Sequence, residues 1–250
     1  AGKGNQLKFV GLANYQRLLS DPVFLTALGN TLIFLVFQVP LMVILAIFFS
    51  VLLNQKTLKW RGVFRTLVFL PSLVAYSLIF KYLFGNEGIV NQLLVNLHIV
   101  SEPIMWLSHP VWAKVLVIIA ITWRWTGYNM IFFLAALQNI DPQIYEAADV
   151  DGASKWRTFF SVTVPLLRPV ILFTSITSTI GTLQLFDEPM NLTKGGPGNA
   201  TLTISQYIYN ISFKFTPDFG YAAAVSYAIV FLVVIFSIIQ LKVGNQHEKN

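Results

Sequence analysis

The chain contains no cysteine. That excludes a disulfide framework, a thiolate metal site and a cysteine nucleophile, and it leaves the redox compartment unassigned. Charge is the second scarcity: 11% of the 250 residues are charged, against about 25% in a soluble domain. A soluble fold of this length keeps most residues near its surface and needs polar side chains there. An ordinary cytosolic enzyme and a disordered or collagen-like chain are therefore excluded. The formal charge of +6 sits on basic residues that are neither clustered nor carried by a soluble scaffold, which argues against a nucleic-acid partner. No G-x-x-x-x-G-K-[ST] phosphate loop is present. Gly195-Gly196-Pro197-Gly198 lacks a following lysine and hydroxyl, and Pro197 removes an amide donor, so it reads as a turn. His98, His109 and His247 lie far apart, with no second ligand at helical spacing, so no metal site is expected.

What the chain has is long apolar runs: 55% hydrophobic residues and a mean hydropathy of +0.65. A bilayer core about 30 Å thick needs roughly 20 apolar residues per helix. Candidate spans cover residues 29–53, 66–84, 111–137, 169–186 and 221–241, an all-α, polytopic transmembrane bundle of five spans. Lys114 and Arg124 interrupt the third span. Pro40 and Pro71 fall inside spans, where neighbouring helices can satisfy the freed backbone. Residues 88–97 are too short and polar to cross and read as an interfacial segment. Lys56, Lys59, Arg61 and Arg65 follow the first span, Lys155, Arg157 and Arg168 the third, and Lys242 and Lys249 the last. The intervening loops are poor in basic residues, so the positive-inside rule puts these three groups, and the C-terminus, in the cytoplasm. Residues 1–28 then lie outside without resembling a signal peptide. That parity leads us to expect an upstream membrane helix; a native external N-terminus is the alternative.

Residues 138–168 form the one sizeable cytoplasmic loop. Asp141 followed by Pro142 is a helix start, and the run from Ile144 to Val150 closes at Asp151-Gly152-Ala153. Ser154 can cap a second run over 156–164, expected to stop at Pro165. Trp156, Phe159 and Phe160 suit a helix lying on headgroups. The first helix is acidic and rich in small residues, which suits a groove in a partner protein better than an anionic leaflet.

Glu146-Ala147-Ala148, then Asp151-Gly152-Ala153, Phe159, Pro165 and Pro169, resemble the EAA loop of binding-protein-dependent ABC importers. Gly11-Leu12-Ala13-Asn14-Tyr15, Leu137-Gln138, Gly195-Gly196-Pro197 and Asp218-Phe219-Gly220-Tyr221-Ala222-Ala223-Ala224 are similar to the carbohydrate-uptake class of that family. The likeness is to the subunit type represented by the larger maltose permease subunit, and it covers nearly the whole chain. It implies a single transmembrane permease domain over residues 1–250, in a bacterial or archaeal cytoplasmic membrane. It implies coupling to an ATPase through Glu146, Ala147, Ala148, Asp151, Gly152, Ala153 and Pro165. The implied partners are an ATP-binding subunit dimer, a second homologous permease subunit, an extracytoplasmic sugar-binding protein and a sugar substrate. The chain itself would hold no cofactor, ATP and Mg being bound by the partner ATPase, and would not be an enzyme.

Arg124 is the one charge well inside a span, among Trp123, Trp125, Thr126, Tyr128 and Asn129. Intramembrane charges face a protein interior or a wet cavity, and aromatic faces beside amides and hydroxyls suit a sugar ring. In the family, this span and the one after the EAA loop line the substrate site. The resemblance points to Tyr128 on the former, and to Ser178, Thr182 and, within two turns, Gln184 on the latter. Arg124 pairing with an acid on the sister permease, or with helix carbonyls, is the alternative. A gradient-driven secondary transporter would show inverted repeats and intramembrane acids, and no Asp or Glu lies inside a predicted span. A membrane enzyme would need clustered His, Asp or Ser at one face. A polyol-phosphate substrate would call for more basic residues along the pathway.

Overall fold

The computed structural model describes residues 9–55, 59–69 and 76–246. Among them all regular structure is helical. α1 (Ala13–Ser20) leads into α2 (Pro22–Asn54), 33 residues and about 50 Å long at 1.5 Å per residue. α2 begins well before residue 29 because Asp21 caps it. One carboxylate oxygen accepts from the backbone N–H of Val23 at 2.9 Å and of Phe24 at 3.3 Å, and Pro22 is pre-set for the first turn. The helix runs on through Pro40.

The expected second span is represented by α3 (Arg61–Phe69) and α4 (Tyr76–Leu83). Residues 70–75 between them, with Pro71, lie outside the described residues, as do Lys56, His247 and Lys249. The interfacial segment is α5 (Ile89–Asn96). Its buried Asn91 donates to the carbonyls of Gly85, Asn86 and Ile104 and accepts from Ile104 N and Trp106 Nε1, closing the 85–106 loop on itself.

α6 (Pro110–Gln138) carries the third run and α13 (Phe219–Gln246) the last. α2, α6 and the Phe219–Gly244 portion of α13 are each long and apolar enough to cross a bilayer. α10 (Arg168–Leu183) has 16 residues and ends short of the expected 186. Its last turn tightens as Leu185 N donates to the Thr182 carbonyl, and α11 (Asp187–Leu192) then starts. The fourth candidate crossing is the bent pair Lys155–Leu166 and Arg168–Leu183, with 65° between the two halves. α12 (Ile204–Tyr209) continues into a π-turn, Asn210–Lys214.

The chain divides into two compact units. One comprises Ala1–Val39, Ala75–Ile121 and Thr179–Phe236, and the other Pro40–Val74, Thr122–Ser178 and Ser237–Asn250. The first has a core of Leu18, Phe24, Ala27, Leu202, Ile204, Tyr207, Tyr221, Val225 and Ile229. The core of the second is Met42, Ala46, Ile47, Phe133, Leu137 and Leu167. Lipid tails are as apolar as leucine, so in a bilayer such cores are held by close packing and hydrogen bonds rather than by exclusion of water. Gly127 of α6 shows how close. A Cβ built there would lie 2.1 Å from the Val68 carbonyl oxygen of α3. Ser50 of α2 adds a hydrogen bond of 3.0 Å to the Met130 carbonyl of α6.

Candidate functional site

The 138–168 segment starts as its sequence dictates. Asp141 accepts from Gln143 N at 2.9 Å and Pro142 opens α7 (Pro142–Val150). The far end is a Schellman turn: Gly152 N donates to the Asp149 carbonyl and Ala153 N to the Ala148 carbonyl. Gly152 has φ +69°, the left-handed region where a side chain is strained. Ser154 then caps α8 (Lys155–Thr158) by accepting from Arg157 N at 3.3 Å.

The second run does not stop at Pro165, as the sequence had suggested. It passes through a π-turn, Phe159–Thr163, into α9 (Val164–Leu166). Proline disrupts an α-helix because its ring meets the carbonyl four residues back and it has no N–H to donate there. Val164 N already reaches five residues back, to the Phe159 carbonyl, so the ladder has been widened before Pro165 enters it. The bend comes later, at Leu167.

No residue of α7 is buried. Glu146, Ala147, Asp151 and Gly152 are exposed, and Ala148 and Ala153 are half-buried. The helix is held at its two ends. Ile140 before it and Phe159 after it pack against the core of the second unit, and the Tyr145 hydroxyl meets Thr163 Oγ1 at 3.3 Å. Trp156 and Phe160 stack at 6.3 Å and stay exposed, whereas Phe159 turns inward. Seven predicted coupling residues thus occupy one connected stretch, six of them on or just after α7 and Pro165 beyond the π-turn.

The predicted pathway residues separate by face. Arg124, Tyr128 and Phe132 follow one another at four-residue spacing on one side of α6, a helical stripe. Tyr128 is 45% exposed, and its ring meets those of Trp125 at 5.9 Å and Phe132 at 5.4 Å, edge to face. Phe132 in turn meets Phe173 of α10 at 5.5 Å. The Arg124 guanidinium lies 5.9 Å from the Trp125 ring. The opposite side of α6 presents Thr122, Thr126 and Asn129, all buried. Asn129 donates to the Trp125 carbonyl at 2.9 Å and to Ser178 Oγ at 3.3 Å. In the other unit, buried Thr182 donates to Gln38 Oε1 at 2.7 Å. Gln184 is exposed, one residue past the end of α10. Ser178 and Thr182 therefore face partners in their own chain, while Arg124, Tyr128 and Gln184 are the more open.

The sequence family described as the binding-protein-dependent transport system inner membrane component matches residues 20–243. The chain belongs to this family. It is 57% identical over 252 aligned residues to a lactose transport system permease protein of Rhizobium radiobacter, covering 99% of this chain and 85% of that protein. A trehalose/maltose transport system permease protein of Thermococcus litoralis is 38% identical, covering 94% and 80%. An arabinooligosaccharides transport system permease protein of Halalkalibacterium halodurans is 37% identical, covering 98% and 78%. The fold is shared with a bacterial ABC transporter involved in import of the acidic polysaccharide alginate. There the TM-score is 0.82 at 22% identity, over 96% of this chain and 85% of that one.

In this member of the family, sequence reasoning passed over a cluster in the first unit. Asp21 Oδ2 accepts from the hydroxyls of both Tyr207 and Tyr221, the latter at 2.7 Å. Arg17 pairs with Asp218 at 2.8 Å and lies 3.9 Å from the Tyr221 ring centre. These contacts tie α1 and the start of α2 to α12 and the start of α13. Burial works to raise the Asp21 pKa, but the tyrosine hydroxyls and the two backbone N–H donors outweigh it and hold it below its ordinary value. Burial, and then the Asp21 hydrogen bond, push Tyr207 up to about 12.

The stabilisation from Asp21 is thus complete above its ordinary value near 3.8 and is lost as pH falls through the lowered one. That from Tyr207 is complete below pH 10 and is lost towards 12. Asp21→Asn should cost about 1–2 kcal/mol at neutral pH, less than the 1.5–3 kcal/mol of a fully buried charged hydrogen bond because the carboxylate is only half-buried. Thermal unfolding of the purified protein against pH checks this: variant and native chain should differ fully above 3.8 and converge only as pH falls through the lowered Asp21 value.

Proposed function

We propose that this chain is a transmembrane subunit of an ATP-driven importer that moves a sugar or oligosaccharide into the cytoplasm by alternating access. Residues 1–28 are assigned outside, and residues 138–168 and the C-terminus in the cytoplasm. The partners are an ATP-binding subunit dimer, a second homologous permease subunit and an extracytoplasmic binding protein. ATP and Mg belong to the ATPase.

The observation that carries the reading is α7, a nine-residue helix with both ends capped and no residue buried. Isolated helices shorter than about 12–15 residues are marginal in water. This one is pre-formed by its caps and anchored by its flanks, so it can deliver force to or from a protein that covers it. Its surface of Ala147, Ala148, Gly152 and Ala153 admits a close backbone, and Glu146 offers a carboxylate for a cation in the cleft. The sugar class is supported by relatives whose names are those of lactose, trehalose/maltose and arabinooligosaccharide permeases. A solved alginate transporter of the same fold, with TM-score 0.73 and 24% identity, is in complex with a periplasmic protein bound to an alginate pentasaccharide.

Mechanism follows from these parts. Nucleotide binding closes the ATPase pair, and closure shifts the membrane subunits only by the difference in affinity between their two conformations. α7 and the π-turn region carry that difference to α10 through the bend at Leu167. The Arg124–Tyr128 face of α6 is assigned to the pathway, because a guanidinium and a phenol on an open face are poorly matched to hydrocarbon. The family resemblance assigns Ser178, Thr182 and Gln184 to the pathway as well.

The test is co-expression with the neighbouring ATP-binding and permease genes, purification through this chain, and assay of ATP hydrolysis and uptake. A co-purifying ATPase stimulated by sugar-loaded binding protein is expected, and Glu146→Lys should release it. Tyr128→Ala should keep the ATPase bound but lower uptake about three- to tenfold, the scale of one lost aromatic contact. Purification of the chain alone, folded and without ATPase, would overturn the reading in favour of a gradient-driven transporter.

A further inference from the structure

Four aromatic rings form a connected row in the first unit. Phe186, just past the end of α10, meets Tyr209 at 5.4 Å, and Tyr209 meets Phe213 at 5.8 Å. Phe213 in turn meets Phe219, the first residue of α13, at 6.2 Å. Phe213 is 70% exposed, Phe215 60% and Phe219 53%, and residues 213–217 are exposed without a break. Lys214 Nζ lies 5.6 Å from the centre of the Phe215 ring. This tip is pre-formed. Beyond the π-turn, Phe215 N donates to the Asn210 carbonyl at 2.9 Å and Asp218 N to the Ile211 carbonyl at 3.0 Å. The Arg17–Asp218 pair holds its base. Phenylalanines are thus fixed outward rather than left on a loose loop.

The depth of the row follows from α13. Its apolar stretch Phe219–Gly244 has 26 residues, about 39 Å at 1.5 Å per residue. A hydrocarbon core is about 30 Å thick, and about 40–45 Å with its headgroups. With the stretch centred on the core, Phe219 stands in the headgroup layer, and the Phe213 ring that touches it stands beside it. The contact of Phe186 with Tyr209 brings the end of α10 to the same row.

We propose that this aromatic tip is a bilayer anchor. Phe213 and Phe215 enter the boundary between headgroups and acyl chains beside Phe219. Lys214 lays its stem along the Phe215 ring and carries its ammonium to the lipid phosphates, as long basic side chains do at an interface. A soluble protein that docked here and left again would expose three phenylalanines to water, the kind of patch that soluble surfaces avoid. A sugar would find ring faces here, but among these rings only the Tyr209 hydroxyl to pair with. Interfacial anchors set the tilt and level of a span, so the tip fixes one end of α13 in the bilayer. The proposal requires α13 to cross the membrane; it needs neither the sugar class nor the sidedness assigned above.

The chain has no cysteine, so Phe213→Cys and, separately, Phe215→Cys each provide one nitroxide site on it. The full chain, with any co-purifying subunits made cysteine-free, is reconstituted in phospholipid vesicles. Collision of the nitroxide with oxygen, which concentrates in hydrocarbon, is compared with collision with a nickel chelate, which stays in the water on both sides of the membrane. Oxygen collisions should exceed chelate collisions severalfold at both positions. An excess of chelate collisions at either position means that the tip stands in water, open to a soluble protein, and overturns the proposal. Exclusion of both reagents at either position means that protein covers the row, and overturns it as well. Two label sites keep the test available if one substitution prevents folding.

Discussion

Gly152→Val is expected to abolish uptake while the chain still inserts into the membrane and is recovered in normal amount. The reason is local. With φ +69° at Gly152, any L-residue pays roughly 1–2 kcal/mol for the left-handed conformation, and a β-branched residue is a genuine outlier there. A Cβ at this position meets nothing within 4 Å in the chain, so the effect is not a clash inside the subunit. The strained residue instead leaves the left-handed region and the Schellman turn opens. The hydrogen bonds from Gly152 N and Ala153 N are lost. Ala153 and Ser154 leave their places, and α7 no longer points where the caps hold it. The membrane helices are untouched, because no part of α7 is in their cores.

Gly152→Asn separates conformation from contact. Asparagine tolerates the left-handed region, so it should retain the helix geometry while adding a side chain to the surface assigned to the ATPase cleft. Circular dichroism cannot resolve so short a helix. The readouts are uptake, ATP hydrolysis stimulated by binding protein, and co-purification of the ATPase. If Gly152→Val transports normally, the coupling role assigned to the 146–153 stretch is wrong. If both variants fail equally, the close approach of a partner at Gly152 matters more than the turn.

What the sequence reveals about this stretch shows what kind of information is local. Asp141-Pro142, Gly152 and Ser154 act within four residues of themselves, so the caps of α7 and α8 are legible from composition and order alone. The apolar runs of α2, α6 and α13 are legible for the same reason, since bilayer thickness sets their minimum length. Pro165 was misread because its effect depends on a π-turn upstream, which no single residue announces. The carboxylate of Asp21 bonds Tyr207 and Tyr221, 186 and 200 positions away, and periodicity carries no record of such pairs. Asp218 and Tyr221 stand in a stretch that the family resemblance marks, yet their role as a clasp on α1 and α2 emerges only in three dimensions. The same holds for Ser178 and Thr182. Their polarity is visible in sequence, but not that Asn129 and Gln38 occupy them.

Gly127→Val should be the most damaging single change within the apolar part of the chain. The Cβ position lies 2.1 Å from the Val68 carbonyl oxygen and 3.2 Å from Phe69 Cα. Both are backbone atoms, so no rotamer change relieves the contact and α3 must move off α6. Overpacking a well-filled core typically costs about 1–3 kcal/mol, and here the obstacle is a whole helix. In a bilayer, helices associate through close packing at small residues, so widening one contact forfeits the attraction along its length.

The consequence should reach function, because Gly127 adjoins Tyr128 on α6 and the α3 contact helps to fix how that helix is turned. Rotating α6 by one residue, about 100°, would carry Tyr128 and Arg124 off the open face and bring Trp125 towards it. The expected outcome is loss of uptake together with a lower thermal midpoint. Gly127→Ala, which inserts the same Cβ and nothing more, should be nearly as harmful. A cysteine pair joining α3 to α6, placed in this cysteine-free chain beside the Val68 contact, should cross-link readily in the native background and poorly in either variant. Equal cross-linking and uptake would mean that α3 and α6 are not held together at Gly127. The orientation of the Arg124–Tyr128 face would then have to be set by the Asn129–Ser178 bond on the opposite side of the helix.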